Sequence, residues 1–297
     1  MALAEQTVPP PAEARSEAHA SPVPLGTVAV VSGLLALLVW TYWLVLPGLV
    51  TQWYNEEEYS HGFLVPVIAA GLIWWKRDAL RRVPMRPAYS GLVVMAGSLA
   101  VYAAGIVGAD LFLQRVSMVG MIAGATLYVT GWAMFRALSF PLAYLLLMIP
   151  LPGIIFNSIA FPLQLLAAQI ATDSMQMCGI PVFREGNVMH LAATSLDVEE
   201  ACSGIRSLIS LTALGVLYAY ITESRWLPRL LLIGMIAPIA VVANVFRVTA
   251  TGLLAHYISV DTALGLFHSI GGLSVFVLAT LLFFSLSRLL KLAGISR

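Results

Sequence analysis

The sequence predicts an all-α polytopic membrane protein of about eight transmembrane helices, with a small outer β-hairpin cap and an interfacial helix. Three observations lead there. Apolar residues make up 60% of the 297 and charged residues only 10%, against roughly a quarter charged in an ordinary soluble domain. The apolar residues fall in runs suited to crossing about 30 Å of hydrocarbon, which takes ~20 helical residues. The basic residues collect in alternate breaks between those runs, as in a multi-pass chain whose cytoplasmic loops are positive.

Residues 1–25 hold Pro9-Pro10-Pro11, scattered Ala and Ser, and Glu5, Glu13 and Glu17, without an apolar run or a period. They are expected to form a disordered cytoplasmic tail, and 26–297 a single transmembrane domain. The first run, 26–50, is too long for a signal-peptide core and has no small-residue cleavage site after it, so a retained span is expected. Further spans are expected near 62–75, 89–108, 116–134, 138–155, 203–221, 230–253 and 270–288. With the N-terminus inside, the inner segments hold Arg15, Lys76, Arg77, Arg81, Arg82, Arg86, Arg136, Arg225, Arg229, Arg288, Lys291 and Arg297, against Arg115 and Arg184 outside. Both termini are then cytoplasmic. Residues 157–177 interleave Pro162, Gln164, Gln169 and Asp173 with apolar side chains, too polar for a clean span, which predicts an interfacial or re-entrant helix. Pro181 to Leu191 reads as two short strands around Glu185-Gly186-Asn187, with 195–198 as a third. Sixteen basic residues against fifteen acidic ones provide no electrostatic reason to expect nucleic acid as a partner.

Two arginines, Arg206 and Arg247, fall inside spans, where a charge must face protein or water. The polar segment Asp197 to Arg206 runs straight into the sixth span and carries Cys202. A thiol in the first turn of a helix faces unpaired N–H groups that favour the thiolate. Spans six, seven and eight alternate in direction, so the start of six, the end of seven and the start of eight share the outer face. Cys202, Arg247 and His268 occupy those places. A Cys–His pair supports nucleophilic attack on a carbonyl, and a guanidinium with five N–H groups suits the resulting oxyanion. The chemistry implied is acyl transfer through a thioester, with no cofactor and no metal.

Other readings of these residues stand beside that one. Cys202 can be packing or form a disulfide with Cys178; Arg247 can line a transport pathway for an anionic or lipid-linked substrate. Arg206, one turn from Cys202, can stabilise the thiolate or pair with Glu199 or Asp197. Asn244, one turn before Arg247, is placed to orient it, and Glu200 is a further supporting residue. His256 competes with His268, and His61 and His190 also lie outside. Four outward histidines without an HExxH or paired-Cys spacing do not make a zinc site.

Glu200-Ala201-Cys202-Ser203-Gly204-Ile205-Arg206-Ser207-Leu208, then Ala243-Asn244-Val245-Phe246-Arg247-Val248-Thr249, then Phe267-His268-Ser269 resemble, in that order, the exosortase and archaeosortase family. Tyr59 to Pro66, Gly179 to Val182 and Glu185-Gly186-Asn187 are similar to it too. The resemblance covers nearly all of the chain after the tail and implies that Cys202, Arg247 and His268 are the catalytic Cys, Arg and His. It further implies that the partners are secreted proteins bearing a PEP-CTERM tail: a Pro-Glu-Pro motif, a transmembrane helix and a basic cluster. Such a tail would be cut at the periplasmic face of an inner membrane and passed to an acceptor, in connection with exopolysaccharide export. Some members carry a further soluble C-terminal domain, whose contribution would here be expected from another polypeptide.

Overall fold

The computed structural model describes residues 25–192, 194–197 and 203–294, with side chains described except at 25–28, 57, 197, 203–207, 261–264 and 266–272. Its helices are α1 Leu25–Tyr42, α2 Val45–Asn55, α3 Leu64–Trp75, α4 Arg77–Leu80, α5 Ser90–Val107, α6 Leu111–Tyr144, α7 Gly153–Met177, α8 Ser203–Thr222, α9 Trp226–Gly234, α10 Ile236–Tyr257 and α11 Val260–Leu292. Two 3-10 segments, η1 Glu57–Phe63 and η2 Leu145–Met148, join α2 to α3 and end α6. Strands β1 Val182–Glu185, β2 Val188–Leu191 and β3 Ser195–Asp197 form an antiparallel sheet in the order β1-β2-β3. Glu185 pairs with Val188, so the hairpin turns on Gly186-Asn187. Gly186 supplies a φ of 62°, the first position of a two-residue turn that favours glycine.

Five stretches of helix among the described residues are long and apolar enough to cross a membrane: Ser90–Val107, Leu111–Met148, Gly153–Met177, Trp226–Tyr257 and Leu273–Leu292. Counting α1 and α2, bent by 64°, as one span makes six. The expectation of about eight is not reached by this measure. The 12 residues of α3 extend only about 18 Å, and the apolar part of α8 described as such, Leu208–Thr222, is also short. The spans expected at 116–134 and 138–155 fall within Leu111–Met148, which counts once by this measure although its helix is broken at Gly131. α7, read from the sequence as an interfacial or re-entrant helix, also passes the test of length and hydropathy.

The stretch 111–148 reverses at Gly131, whose φ of 82° and ψ of 178° break the helix. There the carbonyls of Thr130 and Tyr128 accept from the N–H groups of Arg86 and Ala88, at 3.2 Å each, so the chain before α5 takes over carbonyls released by the break. Residues on both sides of the reversal, Arg115 and Pro150, line one pocket. A straight helix would hold them some 50 Å apart. The arms 111–130 and 132–144 therefore run antiparallel. Asp110 starts the first arm, its Oδ1 accepting from the N–H groups of Phe112 and Leu113 at 2.8 and 3.0 Å, a cap worth about 1 kcal/mol. A Cβ at position 131 would overlap the Arg86 carbonyl. Gly131→Ala is thus expected to cost on the order of 3 kcal/mol through strain and overlap, read as a large fall in the detergent unfolding midpoint; an unchanged midpoint would contradict this origin of the reversal.

α5 lies along the first arm, with Gly91 against the Tyr128 backbone and Gly124 against Met95, a close approach that small residues permit in membrane helices. One buried cluster, including Tyr42, Trp53, Tyr59, Met118 and Tyr144, ties α1, α2 and η1 to both arms. A second, with Leu211, Ala243, Val275 and Phe283, joins α8, α10 and α11. A third seats the sheet, through Met189 and Leu196, on Ala171 and Met175 of α7 and Val248 of α10.

Candidate active site

The height of each candidate residue follows from pairwise registers. The Tyr144 hydroxyl donates to the Ala213 carbonyl at 3.2 Å, and Phe140 stacks on Tyr220, so the second arm of α6 runs antiparallel to α8. A Cβ on Gly215 would meet Ile236 Cδ1 at 2.7 Å and Phe283 Cε2 at 3.4 Å, while the Tyr218 and Ser287 hydroxyls bond at 3.0 Å. A Cβ on Gly252 would meet Leu196, seven residues before α8, at 3.8 Å, so α10 is antiparallel to α8, and α11 is parallel to it. Eleven residues separate Ile236 from Arg247 and Gly215 from Gly204, which brings Arg247 level with the first turn of α8. Fifteen residues back from Phe283 is His268; the same count from Gly215 passes the first residue of α8 by about one turn. The start of α8, Arg247 and position 268 thus lie at one end of the bundle, within roughly 10 Å of height at 1.5 Å per residue.

Cys202 and Glu200 lie outside the described residues; in sequence, Cys202 immediately precedes Ser203, the first residue of α8. Arg206 and His268 are placed on α8 and α11 by backbone only. Arg247 is described in full. It is 6% exposed, between Asn244 at 1% and Thr251 at 3%, a polar stripe of helical spacing turned into the protein. The Thr251 hydroxyl donates to the Arg247 carbonyl at 2.9 Å. Thr251 was not singled out from the sequence, because threonine in an apolar helix gives no signal until its face is known.

The competing residues have separate places. His256 is exposed at the end of α10, its ring edge-on to Tyr257. His190 is on β2, with Nδ1 2.8 Å from Ser195 Oγ and Nε2 3.8 Å from the Glu185 carboxylate. Cys178 is a free, exposed thiol just after α7; its expected alternative partner, Cys202, lies outside the described residues. Among the described residues no three His, Cys, Asp or Glu side chains gather as metal ligands.

His61 has a structural setting that the sequence left open. Its Nε2 lies 3.1 Å from the Leu147 carbonyl and its Nδ1 3.0 Å from the Glu58 carbonyl and 3.3 Å from Ser210 Oγ, linking η1, η2 and α8. Beside it the Trp53 indole donates to the Met148 carbonyl at 2.8 Å. Burial is the largest influence on the imidazole and pushes its pKa below the ordinary value of 6.5, against the two carbonyls. The folded protein then releases a proton that the unfolded chain keeps, so His61 contributes stability above pH ~6.5 that is lost as pH falls through the folded-state pKa. His61→Gln is expected to flatten the fall of the unfolding midpoint on acidification below 6.5; a slope equal to wild type would show that other groups set it.

No curated protein and no solved structure matches the chain. The sequence profile of the transmembrane exosortases (Exosortase_EpsH) matches residues 53–285, from Trp53 near the end of α2 to Ser285 in α11. That region includes the start of α8, the buried stripe of α10 and position 268 on α11, and covers most of the chain. The protein therefore belongs to the transmembrane exosortase family.

Proposed function

We propose that the protein is a membrane-embedded cysteine peptidase and transpeptidase that cleaves the PEP-CTERM sorting tail of exported proteins at the periplasmic face of the inner membrane. The observation that carries this reading is the buried Arg247, on a polar stripe level with the helix start that Cys202 precedes. The Cys202 thiolate attacks the scissile carbonyl, and the guanidinium of Arg247 stabilises the oxyanion that forms. The carbon–nitrogen bond breaks as His268 gives its proton to the leaving amine. The substrate's new C-terminal acyl group is left as a thioester on Cys202. An acceptor, deprotonated by His268, then attacks the thioester and regenerates the thiolate. Arg206, Asn244 and Glu200 support the site, and no cofactor takes part. Both termini are cytoplasmic in this arrangement, and the bilayer delivers the substrate's own transmembrane helix to the site.

The direct test is co-expression with a reporter carrying such a tail, followed by mass spectrometry of Cys202 under non-reducing conditions. A reporter fragment bound to Cys202 and released by hydroxylamine is the expected result. A processed reporter with no adduct at Cys202 in rapid-quench samples, and with unchanged processing in Cys202→Ala, would overturn it.

A further inference from the structure

A pocket of about 390 Å³ opens between α2, the turn entering α6 and the segment Pro150-Leu151-Pro152. It lies at the same end of the bundle as the start of α8: the second arm of α6 rises along α8 from Phe140 at Tyr220 to Tyr144 at Ala213 and continues towards Pro150. Arg115 forms part of its wall and is 4% exposed. Gln52 Oε1 accepts from Arg115 Nη1 at 2.6 Å, and Gln52 Nε2 passes the interaction on to Glu56 Oε2 at 3.0 Å. Among the described residues no carboxylate comes within ion-pair distance of the guanidinium, and Nε is sealed without a partner. Asp110, the other charge on the wall, directs Oδ1 to two backbone N–H groups of α6.

A buried cation is costly unless it is paired and its hydrogen bonds are met, and a guanidinium offers five N–H donors where Gln52 takes one. Glu56, joined to Arg115 only through Gln52, is a charge that favours the cation, and the donors left over suit a further oxyanion. Because so little of Arg115 is accessible, the oxyanion must arrive on a slender side chain. A carboxylate on two or three methylene-sized links fits this, whereas a lipid phosphodiester is flanked by bulk on both sides. Leu111, Phe112, Pro150 and Pro152 provide apolar walls for the residues next to that carboxylate.

We propose that this pocket is a substrate subsite in which Arg115 receives the carboxylate of an acidic side chain of the sorting tail. The assignment rests on the proposed cleavage of such tails, and binding can be read apart from cleavage. Arg115 is here a specificity residue; it takes no part in bond breaking.

The experiment measures fluorescence anisotropy of a labelled peptide carrying Pro-Glu-Pro, and of its Pro-Gln-Pro counterpart, on full-length protein in zwitterionic nanodiscs. Wild type is expected to bind the glutamate peptide about tenfold or more tightly, the scale of one charge-assisted contact. Arg115→Gln is expected to bind both peptides equally weakly, and Arg115→Lys to keep part of the preference. Circular dichroism and the unfolding midpoint report on folding, and the substrate-side change needs no altered protein at all. Equal binding of the two peptides by wild type, or a glutamate preference surviving in Arg115→Gln, would overturn the proposal. So would Arg115-dependent retention of phosphatidylglycerol by a protein that binds the two peptides equally, which would make this a lipid site. Absence of reporter processing by the wild-type protein, with the glutamate preference intact, would count against the cleavage reading alone.

Discussion

Cys202→Ala is expected to lower tail processing by at least about 10³-fold, the scale on which removing a nucleophile acts when other groups remain. Cys178→Ala should leave processing unchanged, because Cys178 is a free thiol just after α7. The contrast separates the two cysteines of the chain. The physical reason for a large effect is placement. Cys202 stands one residue before α8 begins, where helix N–H groups favour a thiolate. Alkylation on a Cys178→Ala background should therefore follow a pH profile below that of a free thiol near 8.5. Immunoblot of reporter and protein together checks that the variant is inserted. Equal processing in wild type and Cys202→Ala would remove the thioester mechanism.

Arg247→Gln is expected to cost about 10² to 10³ in processing rate, the range for removing an oxyanion donor. It should lower kcat and kcat/KM together, since the oxyanion exists only in the transition state. Arg247→Lys should recover little, because an ammonium lacks the planar fork. Asn244 and Thr251, one turn either side, are buried with it, so the variant must also be compared by unfolding midpoint. A change confined to KM would instead identify Arg247 as an anion-binding group, as in a transport pathway. Kinetics on a tailed peptide in detergent, with intact and truncated tails, separate the outcomes.

Composition alone made the membrane class legible, since no soluble chain offers so little charge over so much apolar surface. The hairpin was legible as well, because Glu185-Gly186-Asn187 between alternating residues has few alternatives to a tight turn. Crossings were read less well. A break between 134 and 138 was legible, a few residues from the reversal at Gly131, but its position depends on Arg86 and Ala88 supplying N–H groups from 40 or more residues away. For α7, scattered Gln and Asp suggested a helix that does not cross, while its 25 residues pass the test of length and hydropathy, and composition by itself does not separate the two.

The candidate trio was read as residue types and order in sequence, and the family assignment rests on the match over residues 53–285. Height could be inferred from alternating spans, because helical rise is constant. Facing could not be inferred from the sequence. That Arg247 shares a buried stripe with Thr251, that His61 joins η1 to α8, and that Arg115 lines a pocket with Pro150 all depend on helix rotation and on contacts between distant segments. The sequence by itself determined an apolar helical membrane chain and its family resemblance, and proposed a cysteine, an arginine and a histidine at one depth. Only the tertiary structure decided which polar groups turn inward and meet, because helix rotation and chain reversal are settled by packing between segments far apart in sequence, and a one-dimensional pattern carries no record of those partners.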